Sequence, residues 1–505
     1  MLRDRNDPVQ RAHVSFRRRP ARKEISQRCL QDRVGSATSA LTSPGGITDV
    51  GVLQAFDAVA RELMVFAAVG LLVGGADDLA IDLCFAGHRL ARPRRRLTLA
   101  TLPVAAPMRF AVFVPAWDEA AVIGQMLDTL LDRFGPVDSR IAYRVYVGCY
   151  PNDPATTAIV RSLADPRIRV VVGEREGPTT KADNLNTLWR AVASDGWAAD
   201  AIVIHDAEDV VHPAELRVFA ALLGEHDVVQ LPVLPIVDRG SPLLSGHYAD
   251  EFAEMHARSL IVRASVGAAL PLAGTGCALR VDNLAAIARR RGGLPFDADS
   301  LVEDYEIGLN LARHGGRGCF ARVREHEGGP VVAVRALFPG ELGAAVRQKA
   351  RWMTGIALAG WDRTGWARPL ALGDHWMRSR DRRAPLAILV LASAYAALLA
   401  WSAGGVLHWA LRAPAALLSP ALEALLVVNT GLLVWRLLMR ALFTGRAYGW
   451  REAAWSLPRF AVGNAVALLA APRALLSYLR LLRGEPPAWD KTAHVFPDLA
   501  AADAR

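Results

Sequence analysis

Two hydrophobic patterns divide the chain. Between residues 109 and 231, short apolar runs rich in β-branched side chains recur at residues 110–114, 144–148, 168–172, 201–204 and 228–231. Stretches of helical length, such as residues 121–134 and 181–193, lie between several of them. Strands alternating with helices predict an α/β fold with a mostly parallel sheet and ligands at the carboxyl ends of the strands. Elsewhere the apolar positions lose this alternation and become continuous. Residues 63–86, 385–411 and 417–438 are each long enough to cross a bilayer core, which takes about 20 residues. Residues 457–475 are interrupted by Pro458, Arg459, Asn464 and Pro472, and are expected to form an amphipathic or re-entrant interfacial element.

Charge refines this layout. Asp77, Asp78 and Asp82 interrupt the first apolar stretch, and carboxylates at that depth must face protein or the interface. Basic clusters border the apolar segments: Arg89, Arg92 and Arg94 to Arg96, then Arg378, Arg380, Arg382 and Arg383, then Arg436, Arg440 and Arg446. They place the α/β block on the cytoplasmic side, with a short external turn near residues 412–414. Residues 1–50 hold ten Lys/Arg against five Asp/Glu without hydrophobic periodicity or a signal-peptide core, and read as a disordered basic arm. The expected organisation is therefore the arm, an N-terminal membrane helix with basic linker at 51–99, the α/β domain at 100–383, a membrane hairpin plus interfacial segment at 384–476, and a cytoplasmic tail at 477–505. No nucleic-acid partner is expected.

The five cysteines are scattered without Cys-x-x-Cys spacing, so neither a zinc site nor a disulfide framework is indicated. Nor does a Walker loop or Gly-x-Gly-x-x-Gly follow any strand, which counts against ATPases and dehydrogenases. Of 59 basic residues only Lys23, Lys181, Lys349 and Lys491 are lysines. Three of these fall inside motifs, where a compact ammonium can do what a planar guanidinium cannot.

Asp206-Ala207-Glu208-Asp209 closes an apolar run, which aims its carboxylates at the ligand-binding edge of the sheet. A nucleoside diphosphate leaving group needs its charge neutralised, and a divalent cation, Mg²⁺ or Mn²⁺, held by Asp206 and Glu208 is the usual means. Either Glu208 or Asp209 can complete that site. Glu303-Asp304 opens a helical stretch, and an acceptor hydroxyl needs such a carboxylate to take its proton. Gln348, Arg351 and Trp352 stand at i, i+3 and i+4, on one helical face. Sugars stack well on an aromatic face such as that of Trp352.

The order of acidic pair, second acidic pair and Gln-x-x-Arg-Trp ahead of apolar segments resembles membrane-integrated, processive family 2 glycosyltransferases, the group of cellulose, chitin and hyaluronan synthases. More specific strings, among them Val-Pro-Ala-Trp-Asp-Glu from Val114, Tyr-Pro-Asn-Asp-Pro from Tyr150, Gly-Pro-Thr-Thr-Lys-Ala-Asp from Gly177 and Trp-Asp-Lys-Thr-Ala-His-Val-Phe-Pro from Trp489, are similar to the bacteriophage adsorption protein B type of inner-membrane glycosyltransferase. The resemblance runs from about residue 60 to 497.

That resemblance implies a GT-A, Rossmann-like nucleotide-sugar domain flanked by transmembrane and interfacial helices. It implies Asp304 as catalytic base with Glu303 beside it, Val302 standing where the synthases carry threonine. Pro115, Asp118, Glu119, Asp153, Lys181 and Asp206 would contact the nucleotide sugar, with Asp118 in place of the usual asparagine. Gln348, Arg351, Trp352, Gly276 and Cys277 would face the acceptor or product. The implied activity is inverting transfer from a UDP-linked donor to a glycan or lipid-linked acceptor, building a surface or secreted polysaccharide at the inner membrane. Three apolar segments are few for a polymer channel, which points to an export partner or homo-oligomer. Two other readings stay open: single-step transfer to a polyprenyl-phosphate carrier, and a non-catalytic scaffold or phage-docking protein.

Overall fold

A seven-stranded sheet forms the centre of the α/β block, in the order β3-β2-β1-β4-β7-β5-β8. Its strands are β1 (Met108–Pro115), β2 (Ile141–Cys149), β3 (Ile168–Val172), β4 (Ala201–Ile204), β5 (Val228–Gln230), β7 (Cys277–Arg280) and β8 (Gly318–Phe320), while β6 (Val233–Ile236) and β9 (Val334–Leu337) pair separately. All five expected runs are strands. The pairs β1–β2, β1–β4, β2–β3 and β5–β8 are parallel; β7 alone runs antiparallel, between β4 and β5. Phe110, Val112 and Val114 are fully buried against one layer and Ala111 and Phe113 against the other. Both faces of β1 are thus covered, which is why its sequence is a continuous apolar run rather than an alternating one.

The computed structural model describes residues 44–91, 97–135, 140–414, 416–487 and 495–498. The expectations for residues 1–43, for Arg92 and Arg94 to Arg96, and for the Trp489-Asp490-Lys491 string lie outside the described residues. Two compact units are present. The smaller comprises the described residues up to Met64 together with Ala396–Leu417. Within it His408 Nε2 meets an Asp57 carboxylate oxygen at 2.9 Å. The larger, Val65–Tyr395 with the described residues from Leu418 onward, contains the sheet.

Among the described residues, four helices are long and apolar enough to cross a membrane: Gly51–Ala91, Ala384–Leu411, Pro420–Tyr448 and Trp450–Leu482. The first is part of a helix that starts at Pro44, so the last residues assigned to the basic arm are helical. The last contains residues 457–475, where an amphipathic or re-entrant interfacial element is expected, and is long and apolar enough to cross a membrane. It is one helix of 33 residues with Pro458 and Pro472 inside it. Its buried residues Ser456, Arg459, Val466, Ala470 and Ala474 recur at helical spacing. Ala470 and Ala474 pack against Ala350, and Thr354 donates to the Ala474 carbonyl at 3.2 Å. Small side chains let these helices approach closely, and the helix continues through both prolines.

The three aspartates of the first apolar stretch face protein, as expected. Asp77 pairs with Arg380 and Arg383 and accepts Trp376 Nε1 at 2.7 Å. Asp78 lies 2.9 Å from Arg380 and 2.8 Å from Arg383. Asp82 meets Arg258 at 2.5 Å and accepts Trp435 Nε1 at 2.8 Å.

Candidate active site

A cavity of about 260 Å³ opens at the carboxyl ends of β1 and β4. Its wall carries Pro115, Glu119, Lys181, Asp206, Glu208, Glu303, Asp304, Gln348, Arg351 and Trp352, residues separated by more than 200 positions in the chain. Lys181 opens the Lys181–Ser194 helix, whose N-cap Thr180 accepts Asp183 N–H at 3.1 Å and donates to the Ala298 carbonyl at 2.5 Å. The lysine is thereby held at a helix entrance. Its ammonium pairs with Asp206, donates to the Gly274 carbonyl at 2.9 Å and lies 3.8 Å from Glu303.

The Glu303–Arg313 helix delivers the second acidic pair. Ser300 Oγ accepts Val302 N–H at 3.2 Å and donates to Glu306 at 2.8 Å, which fixes the entry to this helix. Asp304 Oδ1 accepts Tyr305 N–H at 2.7 Å. Burial raises the Glu303 carboxyl to about 7, with Lys181 opposing and the Asp304 charge adding to the rise. Burial likewise raises Asp304, again against Lys181. Burial disfavours the Lys181 ammonium, yet Asp206 and Glu303 outweigh it and raise this group above an ordinary lysine. A carboxyl pushed up in this way is a better proton acceptor than an exposed one, and perturbed groups in a cleft mark functional sites.

The third acid of the Asp206–Asp209 string turns inward. Asp209 is 1% exposed, and its Oδ2 accepts Asp206 N–H at 2.9 Å and the Thr275 hydroxyl while meeting His205 Nδ1 at 3.1 Å. His205 Nε2 reaches Glu215 at 2.9 Å. Burial opposes an imidazolium there, but Glu215 and Asp209 prevail and raise His205 to about 10. Asp209 therefore ties the Asp206 loop to the 274–276 segment, while it, Asp206 and Glu208 all border the cavity. Among the described residues no group of three or more His, Cys, Asp or Glu is arranged to hold a metal by itself.

Several expected contacts fall elsewhere. Asp153 lies off the cavity wall; its two carboxylate oxygens accept Asp118 N–H at 2.6 Å and Thr156 N–H at 3.2 Å, the latter capping the Pro154–Ser162 helix. Asp118 stands at φ +54°, a left-handed conformation that aspartate tolerates better than most residues. Both therefore shape the first loop, and neither lines the cavity. Gly276 and Cys277 are also behind the wall: Gly276 stands at φ +58°, where a Cβ would fall 2.5 Å from Val334, and Cys277 is fully buried in β7. Both positions are closely packed.

Lys349 likewise points away from the cavity. It pairs with Glu251 and lies 5.4 Å from the Tyr248 ring and 5.6 Å from the Trp352 ring. Its neighbours on the Leu342–Trp352 helix, Gln348, Arg351 and Trp352, do line the cavity. Arg351 has no hydrogen bond or ion pair among the described residues. Trp352 packs edge-on to Tyr248 with centroids 6.0 Å apart, and Phe252 and Phe338 complete an aromatic wall.

The sequence reading missed that wall, together with Val495; Gly274 belongs to the Gly274–Cys277 string expected to flank the acceptor. Gly274 stands at φ +77°, where a Cβ would fall 2.8 Å from Asp304 Oδ2, so a side chain there would press on the acid. Glycines on either side of Thr275 were the available signal. Val495 lines the cavity and Phe496 packs on the core, so the chain after residue 477 is not merely a free tail.

Residues 107–355 match the family model described as "Glycosyltransferase like family 2". The chain is 33% identical to "Bacteriophage adsorption protein B" of Escherichia coli (strain K12), covering 87% of this chain and 62% of that protein. The "Bacteriophage N4 adsorption protein B" of Escherichia coli O157:H7 gives the same identity and coverage. The chain thus spans about 62% of the length of these curated relatives. Among solved structures, a mannosyltransferase from Pyrobaculum calidifontis in complex with GDP-Man and Mn²⁺ aligns with a TM-score of 0.49 at 17% identity, covering 84% of this chain and 99% of that one. Glucosyl-3-phosphoglycerate synthase from Mycobacterium tuberculosis aligns at 0.35 with 23% identity, covering 55% and 86%.

Proposed function

With residues 107–355 a glycosyltransferase-like family 2 domain, in a chain related over most of its length to bacteriophage adsorption protein B of E. coli, we propose that the protein is a membrane-bound inverting glycosyltransferase. It takes a nucleotide sugar, UDP-linked, and extends a surface or secreted glycan from the cytoplasmic face of the inner membrane. The observation that carries the reading is the convergence of Lys181, Asp206, Glu208, Glu303, Asp304, Arg351 and Trp352 on one cavity.

In the transfer, the acceptor hydroxyl oxygen forms a bond to the anomeric carbon as the bond from that carbon to the diphosphate oxygen breaks. The configuration inverts, the nucleoside diphosphate leaves with the bonding pair, and the acceptor proton passes to Asp304. Lys181 keeps Asp206 and Glu303 in register beside that base. Arg351, with no hydrogen bond or ion pair among the described residues, pairs with the diphosphate, and Trp352 carries the acceptor ring on its face.

The cavity wall bears seven carboxylates, Glu119, Asp206, Glu208, Asp209, Asp238, Glu303 and Asp304, against two cations, Lys181 and Arg351. A diphosphate entering so acidic a wall needs added positive charge. A divalent cation, Mg²⁺ or Mn²⁺, fits Asp206 and Glu208, and would supply charge neutralisation of the leaving group. Asp209 is committed to His205 and Thr275 and is not a ligand in this reading.

The test is nucleotide release by the full chain in lipid nanodiscs, with UDP-, GDP- and CDP-sugars offered in turn. Turnover of a UDP-sugar, reversible inhibition by EDTA and loss of turnover in Asp206→Ala are expected. No turnover of any donor, or full activity of Asp206→Ala, contradicts the assignment.

A further inference from the structure

An exposed aromatic and aliphatic patch stands between the Gln-x-x-Arg-Trp helix and the second long apolar helix. Trp361 and Trp366 are 45% and 44% exposed, and Leu370 and Leu372 are 93% and 76% exposed. Four large apolar side chains this open within twelve residues are not a loop's usual composition. Isolated exposed hydrophobics need no explanation, but a contiguous group marks an interaction surface.

The patch is held rigidly. The indoles meet edge to face with centroids 5.0 Å apart, and the buried Arg382 guanidinium lies 4.8 Å from one ring and 5.1 Å from the other. Arg382 also donates to Thr364 Oγ1 at 3.0 Å, and Arg378 donates to the Thr364 and Gly365 carbonyls at 3.2 Å. Gly365 turns the chain at φ +55°, where a side chain would be strained. Neither indole N–H has a hydrogen-bond partner among the described residues. The rings thus sit on guanidinium from within and present a free donor and apolar edges outward.

We infer that residues 361–372 form a membrane-interface anchor, seated at the boundary between headgroups and acyl chains of the bilayer that the Ala384–Leu411 helix enters. Tryptophan favours that boundary because its ring is apolar while its N–H needs a polar partner. The depth fits, since Arg382, on which both indoles rest, lies two positions before the Ala384–Leu411 helix begins. Arg368 is exposed beside the patch and matches headgroup phosphate.

The anchor is coupled to the cavity. Asp381, next to Arg382, pairs with Arg263 at 2.9 Å and accepts the Tyr305 hydroxyl at 2.9 Å. Tyr305 follows Asp304 directly, so the patch sets the height of the catalytic helix above the bilayer. This inference does not depend on the glycosyltransferase reading, and its test needs no substrate.

An environment-sensitive fluorescent residue placed at position 370 of the full chain, in nanodiscs of phosphatidylcholine and phosphatidylglycerol, reports its surroundings directly. A blue-shifted emission is expected, quenched more by a lipid carrying a shallow nitroxide than by one carrying a deep nitroxide. The same label at Val172, on the end of β3 and 41% exposed, should be unshifted and unquenched. Emission at 370 matching that at 172 overturns the inference. So does a blue shift without lipid quenching, which would mean that another protein surface or a second copy covers the patch. A label-free check uses brominated lipid: its quenching of the protein's tryptophan fluorescence should fall in the Trp361→Phe, Trp366→Phe double variant, and equal quenching also overturns the anchor.

Discussion

Two clusters of carboxylates in this molecule use the same residue types to opposite ends. Asp77, Asp78 and Asp82 on the first long helix are each matched by arginine, from Arg258, Arg380, Arg383 and Arg436, and by two indole N–H donors. The cavity acids outnumber their cations, and Lys181 alone serves Asp206 and Glu303. A saturated cluster has no free capacity and holds helices together. A cluster left short of positive charge has lone pairs and proton affinity to offer a ligand. Charge balance, more than burial, separates the structural acids from the chemical ones.

The difference predicts divergent responses to removing one charge. Asp304→Asn should lower transfer by roughly 10²-fold or more while leaving thermal stability within reach of wild type, the scale expected for a lost general base. Rate and melting temperature measured on the same preparation check this. Asp82→Asn should do the reverse. It leaves the buried Arg258 guanidinium with only the more distant Glu254, at 3.9 Å, as a carboxylate partner, and breaking a buried pair costs about 3–5 kcal/mol. Denaturation of the purified chain should show that loss, with specific activity of the surviving folded fraction preserved.

Between these extremes lies the buried His205–Asp209–Glu215 group, within the candidate-site string, where the imidazole stands between two carboxylates. Its imidazolium is favoured by folding, since His205 is raised from 6.5 to about 10. A group raised in this way contributes stability that is complete below pH 6.5 and lost as pH climbs towards 10. The melting-temperature gap between wild type and His205→Gln should accordingly be widest below pH 6.5 and narrow towards pH 10. A gap that widens with pH would reverse the assignment.

The smallest effect concerns Lys349, which stabilises Trp352 from behind the wall. Lys349→Met keeps the stem and removes the charge. It should weaken acceptor use by about 3- to 30-fold, the range a cation–π contact spans, with donor KM unchanged. An equal change in donor and acceptor KM would make Lys349 a general packing residue.

Much of this was legible from sequence because it rests on short-range pattern. The strands β3 and β4 have the bounds their apolar runs suggested, and Gln348, Arg351 and Trp352 share a face because helical spacing demands it. What escaped depended on distant partners. Strands β6 to β9 are three or four residues long and owe their pairing to neighbours far along the chain, as when Val233 meets Val334. Asp209 and Glu208 are adjacent acids that no local pattern tells apart; Thr275 and His205 decide which turns inward. Asp153 likewise fits a donor-binding pattern, yet its oxygens accept backbone amides from the Asp118 loop and from the first turn of the Pro154–Ser162 helix. The basic cluster at 378–383 was read as a topology signal, whereas Arg380 and Arg383 also serve as counter-ions to an acid pair some 300 residues away.

The central claim, that the undercompensated carboxylates carry chemistry rather than structure, is tested most directly by one paired measurement on Asp304→Asn. Calorimetric binding of UDP with Mg²⁺ and release of UDP from the accepted UDP-sugar are recorded on the same nanodisc sample. Binding close to wild type with turnover reduced roughly 10²-fold or more is the expected result. Unchanged turnover, or loss of turnover together with binding and fold, contradicts it.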